Sequence, residues 1–228
     1  MECLKIGILE VQGAFLEHKN ALVKARDNIK LPVQIEILEV RHPSHLNSCL
    51  DGMIIPGGES TAISLFLKRN NMVEPLRGWI QDKKHVTWGT CAGMIILAKQ
   101  TENQKNGGQP TLGIMDTDVS RNFFGRQVNS FEAEVNLSEI FTNLCPGDKV
   151  CHGVFIRAPA VIQTLSPNVE VLASLTWKDT SEEVIVAVQQ DNVMATAFHP
   201  ELTEDVKWHQ FFIERVIRNK ALLHCSTK

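Results

Sequence analysis

The stretch W-G-T-C-A-G-M-I-I-L-A, residues 88–98, puts a cysteine between two glycines where a short β-rich run, 86–88, gives way to apolar residues at helical spacing, 94–99. A strand that turns abruptly into a helix is the repeating joint of an α/β fold. In its Gly-x-Cys-x-Gly form the joint is a nucleophile elbow: the glycines relieve the steric cost of the bend and leave a reactive side chain at its tip. The N–H groups that open the helix favour a thiolate and can also hold an oxyanion, with Ala92, the residue after the cysteine, as one donor. Taken alone the motif fits a small buried apolar residue equally well. The reading of Cys91 therefore depends on what the rest of the chain brings to it.

The same joint recurs on the N-terminal side. Residues 4–9 form an apolar run followed by Gln12-Gly13 and a helical pattern over 14–29; 33–40 reads as a second strand; 52–55 reads as a third, followed by P-G-G-E-S-T and a helix over 62–70. This alternation predicts a mostly parallel sheet with helices on both faces. After the polar T-E-N-Q-K-N-G-G-Q, 101–109, which reads as a surface loop, the pattern changes. Segments 131–137, 150–157, 169–177, 184–190 and 193–198 are short strands at hairpin-like spacing, with Asp191-Asn192 as a tight turn between the last two. A helix over 203 to about 219 follows. With no repeat and no interdomain linker, the expectation is one three-layer α/β domain over 1–228, its core about 4–219 and a short tail 220–228. Its central sheet is mostly parallel, with antiparallel additions in the second half.

Composition narrows the function classes. At 228 residues, with 43% hydrophobic and 21% charged residues, the chain can bury a sizeable core. A formal charge of -3 gives no electrostatic footprint for nucleic acid or an anionic membrane. The early apolar run is too short for a signal sequence, and no stretch approaches the roughly 18 apolar residues of a membrane span. A cytoplasmic location is expected. Cys3, Cys49, Cys91, Cys145, Cys151 and Cys225 lack the paired spacing of a zinc site and the density of a disulfide scaffold. Most are expected to be reduced, buried thiols.

A thiol nucleophile needs a base, and the base needs a group to orient it. A-F-H-P-E supplies both: in an extended segment residues two apart point the same way, so Glu201 can reach the ring nitrogen of His199 that faces away from the sulfur. Pro200 stiffens the spacer. His18, His45, His85 and His209 read as solvated positions. His152 adjoins Cys151, but neighbours on a strand point to opposite faces, so no second dyad forms there. In P-G-G-E-S-T the glycines let the loop approach a ligand, and the amide of Gly58 can be the second oxyanion donor. The alternatives are a phosphate loop or a helix cap at Ser60 or Thr61. The phosphate version is weakened by Glu59, which repels an anion, and by the lack of a following G-K-[ST].

Assembled in order along the chain, V-Q-G-A, P-G-G-E-S-T, G-T-C-A-G, F-G-R-Q-V-N-S-F-E, G-V-F-I-R-A-P and F-H-P-E-L-T-E-D resemble the class I (triad) glutamine amidotransferases. G-T-C-A-G with H-P-E indicates that superfamily; F-G-R-Q-x-x-S-F-E with F-I-R-A-P is similar to its vitamin B6 branch, the glutaminases of pyridoxal 5′-phosphate synthase. The resemblance implies Cys91 as nucleophile, His199 as base and then acid, and Glu201 as the residue orienting it. It implies glutamine binding by Gly57, Gly58, Glu59, Arg121, Ile156 and Arg157, an oxyanion hole at Gly58 and Ala92, and no metal or cofactor. An amino acid substrate brings a carboxylate for an arginine and an ammonium for Glu59.

The implied activity is hydrolysis of L-glutamine through a cysteine thioester, with the ammonia passed to a separate synthase subunit in a hetero-oligomeric complex. Beyond F-H-P-E the sequence has room for one helix and a tail, which agrees with a separate ammonia consumer. Glu10, Gln12 and Gly13, in the turn after the first strand, are the expected partner contact and trigger. Two readings from other classes stay open: a hydrolase, peptidase or stress protein that shares the elbow cysteine, and a non-catalytic assembly subunit. The loop 101–110 and Cys151-His152 depart from the family's usual pattern.

Overall fold

The structure is a computed structural model, and it describes residues 2–29, 33–102, 111–125, 130–178 and 181–226. The N-terminal half alternates as expected: β1 (Glu2–Leu9), α1 (Phe15–Asn28), β2 (Val33–Val40), β3 (Gly52–Ile55), α2 (Ser60–Arg69), α3 (Val73–Gln81), β4 (Val86–Thr90) and α4 (Ala92–Leu97). There follow β5 (Ala98–Thr101), β6 (Met115–Ser120), β7 (Ser130–Leu137), α5 (Glu139–Leu144), β8 (Val150–Ile156), β9 (Ala160–Thr164), β10 (Glu170–Thr176), β11 (Glu183–Gln190), β12 (Val193–Thr196) and α6 (Lys207–Ser226).

All of these strands join one sheet, whose main path runs β2-β1-β3-β4-β12-β11-β10-β7-β8, with β5, β6 and β9 branching from it. From β2 to β12 the pairs are parallel; from β12 onward they are antiparallel. The junction matters most. β4 ends in the cysteine elbow, and β12, its parallel neighbour, ends just before His199. Two segments far apart in sequence thus leave the sheet side by side at the carboxyl ends of adjacent strands, where open α/β sheets place their ligands.

Helices cover both faces, and β4 shows how. Trp88 packs edge-on to His18 of α1 and His209 of α6, with ring centroids 5.6 and 4.9 Å away. Gly89, one residue on, faces α4 so closely that a Cβ there would lie 2.6 Å from the backbone of Gly93 and the side chain of Leu97. The core is aliphatic around β1, β3 and β4, with Leu4, Ile6, Ile8 and Leu22 fully buried, and aromatic under the antiparallel half, where Phe141 stacks on Phe211 and Phe131 on Phe155.

Some boundaries differ from those expected. α4 ends at Leu97 because the chain becomes extended at Ala98 and pairs as β5 with β6. α6 begins at Lys207: the first residues of the expected helix, 203–206, instead bend after a 3-10 turn over Pro200–Leu202, with Thr203 Oγ1 donating to Pro200 O and Asp205 O, and the helix runs on to Ser226, through most of the expected tail. The helices α3 and α5 and the strands β5, β6 and β9 were not expected. The expected surface loop 101–109 lies outside the described residues from 103 onward, as do 126–129 of the F-G-R-Q-V-N-S-F-E motif and 227–228 of the tail. Of the cysteines with described side chains only Cys91 and Cys151 are buried; Cys3 and Cys49 are exposed, Cys145 is half-buried, and all are free thiols. The expectation of mostly buried thiols is therefore corrected: Cys3 stands near the start of β1 and Cys49 in the turn before β3, and both are at the surface.

Candidate active site

Cys91 takes φ 47° and ψ -100°, a conformation that costs an ordinary residue about 1–3 kcal/mol and is held only where the surroundings over-determine it. They do so here. The Cys91 N–H donates to Thr196 O of β12 at 2.8 Å, fixing the elbow to the neighbouring strand. Gly93 sits so close to β3 that a Cβ would lie 2.2 Å from Ile55 O. The second glycine of the motif is thus required by packing, since any side chain would push α4 off the sheet. α4 has six residues, so what it offers the sulfur is the N–H groups of its first turn, Ala92 foremost, which have no partner within the helix.

His199 is pinned from the other side by its own N–H, which bonds Val154 O of β8 at 2.8 Å. Its Nδ1 lies 2.8 Å from Glu201 Oε1, so Nε2 is the nitrogen left for Cys91. Burial opposes charge on the ring, but hydrogen bonds to Cys91 and Glu201 outweigh it and push the His199 pKa up to about 10. Glu201 is itself fully buried, and although burial works against its ionisation, the neighbouring His18 and His199 hold its carboxyl below the usual range. Gly57 completes the arrangement, since a Cβ there would strike the His199 ring at 2.4 Å and approach Cys91 Cβ at 3.2 Å.

Around this trio lies a cleft of about 960 Å³ lined by Gln12, Gly58, Glu59, Cys91, Ala92, Arg121, Ile156, Arg157 and His199, with Glu102, Asn122 and Phe123 as walls that sequence reasoning missed. Of the expected glutamine-binding residues, Gly58, Glu59, Arg121, Ile156 and Arg157 line this cleft, whereas Gly57 lies behind it with its N–H on Thr90 Oγ1. Glu59 is also the N-cap of α2, its two carboxylate oxygens accepting from Thr61 N–H at 3.1 Å and Ala62 N–H at 2.7 Å. Burial acts to raise its pKa, but those amides and nearby Arg121 more than reverse it. The cap is thus Glu59, where Ser60 or Thr61 was the alternative. Arg121 donates to Ser60 Oγ at 3.0 Å and Thr61 Oγ1 at 3.3 Å. Arg157 holds φ 43°, and Ile156 O lies 4.0 Å from Cys91 Sγ.

The turn after β1 reaches the same loop. Gln12 Oε1 accepts from Glu59 N–H at 2.8 Å, and Gly13, at φ 96°, packs so tightly that a Cβ would lie 1.7 Å from Gly57 O. Glu10 behaves differently. Burial opposes ionisation of its carboxyl, but pairing with Lys19 and Arg41 holds its pKa down, and its side chain is not presented at the surface.

The histidines expected to be solvated divide. His45 is exposed, whereas His18, His85 and His209 are buried. The signal for His18 lay in its spacing, three and four residues before Ala21 and Leu22 on the buried stripe of α1. His209 likewise sits in the apolar run of α6. His152 and Cys151 point to opposite faces as expected, the histidine exposed and 2.9 Å from Glu132, the thiol buried and accepting from Trp208 Nε1–H. Among the described residues no group of three or more His, Cys, Asp or Glu side chains is placed to hold a metal ion, and no helix is long and apolar enough to cross a membrane.

Comparison with known proteins places nearly the whole chain in one family. The model of the SNO glutamine amidotransferase family matches residues 8–218. The chain is 43% identical over 215 residues to pyridoxal 5′-phosphate synthase subunit PdxT of Carboxydothermus hydrogenoformans, covering 94% of this chain and 99% of that one. It is also 43% identical, with the same coverages, to the protein of that name from Methanosarcina mazei. A solved structure described as a glutamine amidotransferase superposes with a TM-score of 0.76 at 40% identity, covering 92% of this chain and 98% of the other.

Proposed function

We propose, since the chain belongs to the SNO glutamine amidotransferase family, that it is the glutaminase subunit of a pyridoxal 5′-phosphate synthase. It hydrolyses L-glutamine to glutamate and ammonia and delivers the ammonia to a separate synthase subunit. Residues 1–228 act in this reading as a single amidotransferase domain, working in the cytoplasm. The observation that carries the proposal is the cleft in which a strained Cys91, a His199 oriented by Glu201 and the polar groups of Glu59, Arg121 and Arg157 meet.

In the proposed reaction the Cys91 thiolate attacks the carboxamide carbon of glutamine, and the electron pair of the C=O bond moves to oxygen. The amides of Ala92 and Gly58 stabilise that oxyanion. The N–H of Gly57 is already given to Thr90 Oγ1 at 2.9 Å, which leaves Gly58 as the loop's donor. His199, as imidazolium, protonates the leaving nitrogen, the C–N bond breaks, and ammonia departs. His199, now neutral, takes a proton from water; the hydroxide adds to the glutamyl thioester, the C–S bond breaks, and glutamate leaves with the thiolate and imidazolium restored. Arg121 and Arg157 take the substrate carboxylate and Glu59 its ammonium. Glu59 recruits this ammonium while capping α2, so the carboxylate is positioned before the substrate arrives.

Gln12 and Gly13 are the proposed contact through which the synthase subunit acts, because they touch the oxyanion loop directly. Glu10, turned inward, supports that turn. The test is glutamine-dependent formation of pyridoxal phosphate by the two subunits together, with ammonia release measured with and without the partner. Strong activation that disappears in Gln12→Ala supports the trigger; equal rates in the two conditions refute coupling. Labelling of Cys91 by a glutamine-mimicking electrophile separates this reading from a non-catalytic subunit.

A further inference from the structure

We propose that His18 is a positioning residue of this reaction: braced by His209, it holds the outer oxygen of Glu201 and, through Thr90, the start of the oxyanion loop. The inference rests on reading Cys91, His199 and Glu201 as the triad.

Glu201 spends Oε1 on His199. Its other oxygen is buried, has no hydrogen-bond partner, and faces His18 Nε2 at 3.4 Å. The same Nε2 lies 3.2 Å from Thr90 Oγ1, which accepts the N–H of Gly57 at 2.9 Å. One imidazole nitrogen therefore stands between the triad carboxylate and the hydroxyl that anchors the loop opposite the elbow. On its far side, His18 Nδ1 lies 2.9 Å from His209 Nε2.

The proton positions follow from what each nitrogen faces. A buried carboxylate oxygen accepts only, so His18 presents an N–H at Nε2 and a lone pair at Nδ1. His209 must then donate from Nε2, which leaves its Nδ1, without a partner, as a lone pair and not as an orphaned N–H. Both rings are fully buried, and burial keeps both below the ordinary histidine range, consistent with two neutral rings. Neutrality is what the site needs. A second imidazolium beside Glu201 would compete with His199 for the carboxylate, whereas a neutral ring 3.4 Å away turns only an N–H dipole toward the outer oxygen and leaves the charge to His199. The charged or titratable groups acting on His18 are Glu201, His199 and Glu17, with His209 from α6 and Thr90 from β4 in direct contact. The competing explanation is packing alone, since the ring also fills space against Trp88.

The test uses the full chain with its synthase partner and the variants His18→Leu, His18→Gln and His209→Phe. Three things are measured: kcat and KM for ammonia release, the pH dependence of Cys91 alkylation by iodoacetamide, and thermal unfolding. His18→Leu is expected to lower kcat about tenfold to a hundredfold, through a displaced His199, with KM within about twofold. Its alkylation midpoint is expected to move to higher pH, because a loosened Glu201 supports the imidazolium less. His18→Gln, whose amide N–H can reach Glu201, is expected to recover most of both losses, and His209→Phe to fall between. A folded His18→Leu with wild-type kcat and alkylation profile overturns the proposal, as does a His18→Gln no better than Leu. Should His18→Leu not fold, a His209→Phe protein with an unshifted alkylation profile overturns it equally. Wild-type complex that releases no ammonia would instead refute the glutaminase reading, and the alkylation profile still decides the role of His18.

Discussion

The pairs His152–Glu132 and His199–Glu201 have nearly the same separation and opposite surroundings. His152 and Glu132 meet at 2.9 Å across the β7–β8 ladder, both exposed; His199 and Glu201 meet at 2.8 Å with both side chains out of solvent. Contact distance does not distinguish them. On the open strand, water and salt screen the attraction, and such pairs contribute about 0.2–1 kcal/mol. Under the elbow the carboxylate is desolvated, so its field falls on whatever polar groups face it, and those are His199 and His18. What sets the second pair apart is what lies beyond each partner: the Cys91 thiol beyond His199, and the His18 ring 3.4 Å from the outer oxygen of Glu201.

The largest difference between the pairs should appear when the thiol is removed. Cys91→Ala is expected to abolish glutamine hydrolysis, a loss of about 10⁴-fold or more in kcat, with the fold retained because the elbow depends on its glycines. Wild-type turnover from that variant would detach the buried pair from catalysis altogether. His199→Asn should be nearly as damaging. Glu201→Gln is expected to be about one to two orders of magnitude less severe, because it removes the charge that supports the imidazolium and keeps the shape.

Protonation offers a second way to separate the pairs. The His199 value, about 10, lies above that of an unfolded histidine, so its contribution to stability is fully present below the unfolded value and is lost as pH rises through about 10. Glu201, held low, contributes above its unfolded value and loses that contribution as pH falls through its folded one. Thermal unfolding across pH should therefore show the gap between wild type and Glu201→Gln widest between these limits and closing on both sides. A gap that does not vary with pH would mean the ion pair is not formed.

Glu59→Ala should raise KM for glutamine and weaken selection for its free amino group, and should also cost about 1 kcal/mol of stability because α2 loses its cap. Unchanged kcat/KM would remove Glu59 from the substrate site. The smallest effect is expected at the exposed pair: His152→Ala should leave glutamine turnover unchanged and alter stability by no more than about 0.5 kcal/mol. A larger change would show that solvent screening is not what separates the two.

The parts of this site that are local in sequence could be read from it. A strand-turn-helix with glycines on either side of a cysteine, and a histidine two residues before a glutamate, carry their geometry with them; so did the alternation that produced β1 to β4. What could not be read depends on elements packing across the sheet. His18 sits among Glu17, Lys19 and Asn20, and its local neighbourhood looks solvated. Only the docking of α1 on α6 turns it inward, although its spacing to Ala21 and Leu22 carried a faint sign. Glu10 was legible as part of the active edge but not as buried, because its partners Lys19 and Arg41 come from α1 and the segment after β2. β9 was not legible because A-V-I-Q-T has no clean alternation and its pairing is set by β6 and β11, whereas M-D-T-D-V-S of β6 does alternate, burying 115, 117 and 119, and its signal was passed over.

The contact between Gly93 and Ile55 O also governs how the site can move. Because α4 rests on the end of β3 with no room for one methyl group, and β3 runs directly into the Gly57–Gly58 loop, sulfur and oxyanion donors hang from a single stiff joint. Motion of the sheet carries both together and leaves their separation unchanged. The turn at Gln12 and Gly13 bears on the same loop from outside that joint, Gln12 Oε1 accepting the Glu59 N–H and Gly13 set hard against Gly57 O, so the loop is gripped from two sides.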